Sequence, residues 1–248
     1  MTEQLSGLAA LFLVLFVGLI LFFTRQVQSG RIPILRQIRA YETLKGLTGR
    51  AIEAGRGLHL SLGLGGITTQ TTADTLAGLT VLSYLSKQAA DTGAPPTISM
   101  ADPTTMLLSQ HLLRAAYQDA PEGLETAYQN VRWIAPQPAA YAAGVMSLID
   151  IDQTEANVLI GHFGDEYLLM GETAARQSSS HIGGTSTPNT LPFIYATADE
   201  TLLGEEIYAA GAYLQKKPAH LGSLVAQDTL RSIIAWVIGL GVLWSTLN

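Results

Sequence analysis

The stretch LSGLAALFLVLFVGLILFF, Leu5–Phe23, carries no charge and presents no polar face. A helix rises 1.5 Å per residue, so about 20 such residues cross the roughly 30 Å hydrocarbon layer of a bilayer. A soluble helix of this length would show a polar side to water. A cleaved leader is the main rival reading, but MTEQ is not a positive leader start. The apolar run is also long for a leader, and no A-x-A site follows. The expectation is a retained transmembrane helix. A second candidate lies at the other end. IIAWVIGLGVLW, Ile233–Trp244, is short for a span, and Ser245–Leu247 and Leu230–Ser232 can lengthen it. Arg231 would then reach back to the headgroups. The alternative is an apolar helix packed on a domain or lying in the interface.

Charge suggests an orientation. Arg25, Arg31, Arg36, Arg39, Lys45 and Arg50 follow the first apolar run against Glu42 alone, whereas only Glu3 precedes it. By the positive-inside rule the region after the first span is cytoplasmic. Lys216, Lys217 and Arg231 flank the second segment on the same side. The expectation is a hairpin in the inner (plasma) membrane, both termini outside and the main domain in the cytoplasm. Charged residues make up only 14% of the chain, which fits a part immersed in lipid. The absence of cysteine excludes disulfides, thiolate metal sites and cysteine nucleophiles. A net charge of -6 argues against a nucleic-acid partner, which would call for a basic face.

Between the apolar ends the pattern changes. Ile34, Leu35, Ile38, Tyr41, Leu44 and Leu47 recur at mostly helical spacing, so the connector reads as a basic amphipathic helix. It would lie on anionic lipid or pack against the domain or a neighbouring subunit. From Leu58 strands and helices alternate. LHLSLG, TISMAD, VRWIAP and NVLIGHFG read as strands. TADTLAGLTVLSYLSKQAADTG, PTTMLLSQHLLRAAYQDA and AAYAAGVMSLIDI read as helices, the first with Thr72 at its cap and Asp74 in its first turn. EYLLMGETA reads as a returning hairpin strand across Gly164 and Asp165, and RQSSSHIGGTSTPNT as a polar loop. LPFIYAT reads as a strand and DETLLGEEIYAAGAYLQKK as a helix. Such alternation predicts an α/β, Rossmann-like domain, a mostly parallel sheet flanked by helices. The expected divisions are a transmembrane helix at 1–24, the connector at 25–57, the cytoplasmic α/β domain at 58–218 and a C-terminal transmembrane helix at 219–248.

The turn between the first strand and its helix, GLGGITTQTT, is the main candidate site. A dinucleotide fingerprint needs G-x-G-x-x-G, for a tight turn, a close approach of the pyrophosphate and close helix packing. Gly63 and Gly65 fill the first two places. Thr68 stands in the third, and Gly66 is additional. Asp102 ends the next strand, where a ribose ligand belongs, but lies 39 residues after Gly63. No Gly-Lys-Ser/Thr occurs, so the turn is not a Walker loop. Free amides at the helix start could hold an anion, with Thr68, Thr69, Thr71 and Thr72 as hydroxyl donors. The candidate cofactor-binding set is therefore Gly63, Gly65, Gly66, Thr68, Thr69 and Asp102, with the cofactor unidentified. The competing reading is a turn that uses glycine only for its backbone.

Other polar groups suggest less. His162, Asp165 and Glu166 lie close in sequence, but a metal needs three or four converging ligands, and a solvated turn fits them better. Ser178–Thr190 reads as a mobile surface or inter-subunit loop, or as a lid. Asp150, Asp152 and Glu155, like Asp199, Glu200, Glu205 and Glu206, read as solvated turns and helix starts. Trp236 and Trp244 suit a membrane segment, and Trp133 a core or interface. No catalytic constellation is visible.

AYETLKGLTGRAIEAGRGLHLSLG followed by GGITTQTTADTLAGL resembles an uncharacterised family of bacterial and archaeal membrane proteins, a domain of unknown function. The resemblance implies no activity or catalytic residue. The reading that best joins these features is a membrane-anchored, non-catalytic scaffold whose cytoplasmic domains oligomerise. Its partners would be the bilayer and further copies or another membrane protein. The alternative is a membrane-tethered sensor or enzyme that holds a nucleotide or phosphate at residues 63–72. A transporter would need further subunits, because two spans without central charges make no pore.

Overall fold

The computed structural model describes residues 2–177 and 179–247. Met1 and Asn248, at the outer ends of the two expected spans, and Ser178, first residue of the expected loop, lie outside them. In chain order the elements are α1 (Thr2–Gln28), α2 (Arg39–Ala54), β1 (Leu58–Gly63), α3 (Thr72–Thr92), β2 (Thr97–Met100), α4 (Pro103–Ala116), α5 (Leu124–Gln129) and β3 (Val131–Trp133). They continue with α6 (Pro138–Asp152), β4 (Ala156–His162), α7 (Tyr167–Arg176), β5 (Ser180–Thr185), α8 (Leu191–Thr197), β6 (Glu200–Leu203), α9 (Ala210–Tyr213) and α10 (Pro218–Leu247). Two compact units result: Met1–Arg36 with Gly211–Asn248, and Gln37–Ala210.

The larger unit is an α/β layered domain. Its six strands are all parallel, in the order β3-β2-β1-β4-β5-β6. The chain steps outward from β1 to β3, returns through α6 to β4, and steps outward the other way. The strand order therefore reverses between β1 and β4. Helix α3 packs with α2 and α4, while α6, α7 and α8 pack in series. Strands covered on both faces read as buried runs, as β1 does throughout and β4 does up to His162.

The two faces of the sheet differ. Leu62 points to α3, against Gly78, and Leu60, Ile98, Val158 and Ile182 are fully buried. Successive side chains alternate between faces, so the neighbours of these residues point to the other helix layer. There they form a polar row. The hydroxyls of Ser61 and Tyr141 are 2.7 Å apart, His59 Nε2 lies 2.9 Å from Ser99 Oγ, and His181 Nε2 lies 3.1 Å from the Tyr167 hydroxyl. Burial pushes the His59 imidazole down to about 4, and lowers His181 as well.

The connector helix packs on the domain. Tyr41, Leu44 and Leu47 are fully buried, and the Tyr41 hydroxyl donates to Glu206 O at 2.7 Å. Each such side chain contributes about 1.5–3 kcal/mol by leaving water. Ile38 sits at the helix N-cap and is itself buried.

The second half of the domain differs from the sequence expectation in four places. EYLLMGETA is helix α7, not a hairpin strand, and the residues around Gly164 and Asp165 start that helix. Within the expected polar loop, Ser180–Thr185 is the buried strand β5, paired on both sides. LPFIYAT is the short helix α8, with Pro192 in its first turn, where a missing amide costs nothing. The expected acidic helix begins instead as edge strand β6, and a 3-10 turn at Gly204–Ala209 and α9 follow.

In the smaller unit α1 and α10 pack along each other. Val27, Ala212 and Leu221 form a small core with Leu35, Tyr213 and Leu224, and the Tyr213 hydroxyl donates to Arg36 O at 2.6 Å. Among the described residues, Pro218–Thr246 is the helix long and apolar enough to cross a membrane. The apolar stretch described in α1, Phe12–Gln28, is shorter. The sequence had pointed to the N-terminal segment as the stronger span. Leu13, Leu21, Phe22, Trp236, Leu240 and Trp244 all lie exposed on this unit.

Candidate functional site at the reversal of the sheet

In open α/β sheets, ligands bind beyond the carboxyl ends of the strands where the strand order reverses. Here that place lies between the ends of β1 and β4, at Gly63 and His162. The sequence-derived residues gather around it, and their own chain uses most of their hydrogen-bonding groups.

Gly63, Gly65 and Gly66 are buried. A Cβ on Gly65 would overlap the Thr75 hydroxyl and press on His162 Cβ at 3.1 Å. One on Gly66 would lie 2.9 Å from the Asp102 carboxyl. These glycines admit the protein's own side chains. Several amides of the turn are occupied as well. Leu64 N–H donates to His162 O at 2.9 Å, and Gly66 N–H to Thr71 Oγ1 at 3.2 Å. Thr69 N–H donates to Thr72 Oγ1 at 3.2 Å, Thr71 N–H to Thr69 Oγ1 at 3.3 Å, and Thr72 N–H to Thr69 O at 3.2 Å. Thr68 is exposed and takes a left-handed φ of 78°, which is uncommon for a non-glycine residue.

Asp102 stands next to Gly66 at the end of β2. Its Oδ1 caps α4, accepting from Thr104 N at 2.9 Å and Thr105 N at 3.0 Å. Burial raises this carboxyl, but the Thr104 and Thr105 hydrogen bonds outweigh burial and hold it below the usual carboxylate value. Thr105 Oγ1 donates to Gly65 O at 3.2 Å and ties the cap to the turn.

The centre of the site is Asp74, which sequence reading had placed only in a helix first turn. Its carboxylate is 5% exposed, and donors from distant parts of the chain converge on it. Tyr208 donates to Oδ1 at 2.6 Å and Ser186 to the same oxygen at 2.7 Å. His162 Nδ1 lies 3.2 Å from Oδ2. Burial raises the Asp74 carboxyl, and the hydrogen bonds from His162, Tyr208 and Ser186, with the His162 charge, reverse that and lower it overall. A carboxylate in the first turn of a helix also complements the helix dipole. The α3 N-terminus, where a dinucleotide fold presents its positive end to pyrophosphate, thus already holds an anion.

His162 is not part of a solvated turn. An ionised Asp74 only accepts, so it assigns the proton to Nδ1, and Thr187 Oγ1 shares that proton at 3.2 Å. His162 Nε2 has no hydrogen-bond partner among the described residues. Glu166 turns back to accept from Gly164 N at 2.7 Å. Among the described residues no group of three or more His, Asp or Glu is placed to hold a metal.

The arrangement defines a Rossmann-like α/β domain with a buried, hydrogen-bonded carboxylate beside the reversal of its strand order. A family model described as a domain of unknown function, DUF6754, matches residues 3–248, and the chain belongs to that family. Comparison with curated proteins and with solved structures finds no match.

Proposed function

We propose that this chain is a membrane-anchored, non-catalytic assembly protein. In this reading α1 and α10 cross the plasma (inner) membrane, both termini lie outside, and the α/β unit works in the cytoplasm. There it packs with further copies of itself or with a membrane-protein partner. The observation that carries the proposal is the strand-reversal site, where Asp74 and the turn's threonines satisfy several of the groups a nucleotide would use. Exposed apolar side chains on neighbouring helices support it: Leu168 and Leu169 on α7, and Tyr195, 77% exposed, on α8. The test is the size of the particle extracted in mild detergent. Leu169→Glu with Tyr195→Glu is expected to break it into smaller species with unchanged helix content. A particle of unchanged size would overturn the proposal.

One observation favours the second reading, a tethered nucleotide- or phosphate-binding sensor or enzyme at residues 63–72. His162, oriented by a buried carboxylate and free at Nε2, has the arrangement of a general base. That reading predicts a ligand lost on His162→Asn while the fold is kept.

A further inference from the structure

The opposite edge of the sheet, where the strands begin, holds an open cavity of about 290 Å³. It is lined by Arg56, Gln153, Thr154, Arg176, Gln177 and Ser179. These come from three segments, each leading into one of the adjacent strands β1, β4 and β5. Every lining side chain is polar, and the two charges are both positive. Arg56 makes no ion pair among the described residues. Arg176 pairs with Glu172 at 2.5 Å, and both are exposed, so water competes with that pair.

The floor is rigid. Thr154, 2% exposed, donates its hydroxyl to Asn157 Oδ1 at 3.0 Å. The fully buried Asn157 donates through Nδ2 to Ser179 Oγ at 3.0 Å. Ser179 accepts there, so its own O–H remains to be donated. Gln177 is held by donation to Ile149 O at 2.7 Å. Two guanidinium groups and a hydroxyl donor around one polar space match an oxyanion, which arginine engages with two parallel hydrogen bonds. The volume falls at the small end of ligand pockets, enough for a phosphate monoester of a small molecule and too little for a dinucleotide.

We propose that this cavity binds a phosphate-type oxyanion between Arg56 and Arg176, either free in solution or as an anionic lipid headgroup. The site goes beyond the assembly reading and does not depend on it.

The experiment is calorimetric titration of the full chain in phosphatidylcholine nanodiscs with inorganic phosphate at constant ionic strength. Saturable binding is expected. Arg56→Gln and Arg176→Gln should each weaken it at least about tenfold, as loss of a charged hydrogen-bond donor does. Glu172→Gln, which releases Arg176, should tighten it. Arg50→Gln, an exposed arginine outside the cavity, should leave it unchanged. Matched thermal midpoints establish that the variants fold. Repeating the titration in discs that also contain phosphatidylglycerol separates the two sources. Weaker phosphate binding there assigns the site to a lipid headgroup, and unchanged binding assigns it to a free ligand. No saturable binding to the unaltered protein, or equal binding by the Arg56 and Arg176 variants, overturns the proposal.

Discussion

The two edges of the sheet use polar residues in opposite ways. At the carboxyl edge, Asp74, Ser186, Tyr208 and the threonines of the glycine turn bond to one another and to backbone, and His162 Nε2 has no partner among the described residues. At the amino edge, Arg56 makes no ion pair among the described residues, Arg176 is paired at the surface, and both line an open cavity. In most folds of this topology the carboxyl edge is the open one. The contrast teaches that strand order locates a candidate site, whereas the hydrogen-bond ledger of its residues decides whether a ligand has anything left to bind.

The largest effect should come from Asp74→Ala. It leaves the polar groups of His162, Ser186 and Tyr208 without their common acceptor in a partly buried place. Unfolding of the full chain should show a loss of about 3 kcal/mol. A loss under about 0.5 kcal/mol would mean that the carboxyl edge is not held by this network. Gly65→Val should come next. The added side chain overlaps the Thr75 hydroxyl and crowds His162, so stability should fall by about 2 kcal/mol. Were the turn an open phosphate cradle, the same change would spare stability and remove only binding.

Acid should separate the edges with the smallest effect per step. His59, in the polar row beside Asn157, is lowered to about 4 chiefly by burial, with the Asn157 hydrogen bond opposing and nearby Arg132 adding to the shift. Below its ordinary value of 6.5, the unfolded chain takes up a proton that the folded chain refuses. Stability is therefore fully present above about pH 6.5 and declines between there and about pH 4, by about 1 kcal/mol per pH unit. Asp74, lowered from 3.8, loses its contribution only in the more acidic range beneath that. His59→Gln should reduce the first slope, to which the likewise lowered His181 also contributes, and leave the second. A pH profile with no decline above pH 4 would show that His59 is not buried in its neutral form.

The first half of the domain was legible because its signals were local. Apolar runs bounded by Gly and Pro gave β1 to β4, and Asp74 and Pro103 marked helix starts. The second half misled for equally local reasons. SHIGGT lacks the β-branched run of a core strand, yet its backbone is paired on both sides and Gly183 and Gly184 sit against Tyr167 and Leu202. Strand-favouring Phe193, Ile194 and Tyr195 lie in a helix because tertiary packing overrides a short propensity signal. At the site, Gly66 lies against Asp102, and Gly63 and Gly65 against His162. Sequence reading missed Asp74 as their centre, since its partners lie 88, 112 and 134 residues away and no spacing announces them. The amino-edge cavity was invisible for the same reason.

The most direct test of the closed carboxyl edge is native mass spectrometry of the complex released gently from its own membrane. The account predicts several copies of the chain and no retained nucleotide. A nucleotide mass that stays with the unaltered protein and disappears in His162→Asn would contradict it, and would make the turn at Gly63–Thr72 a binding site after all.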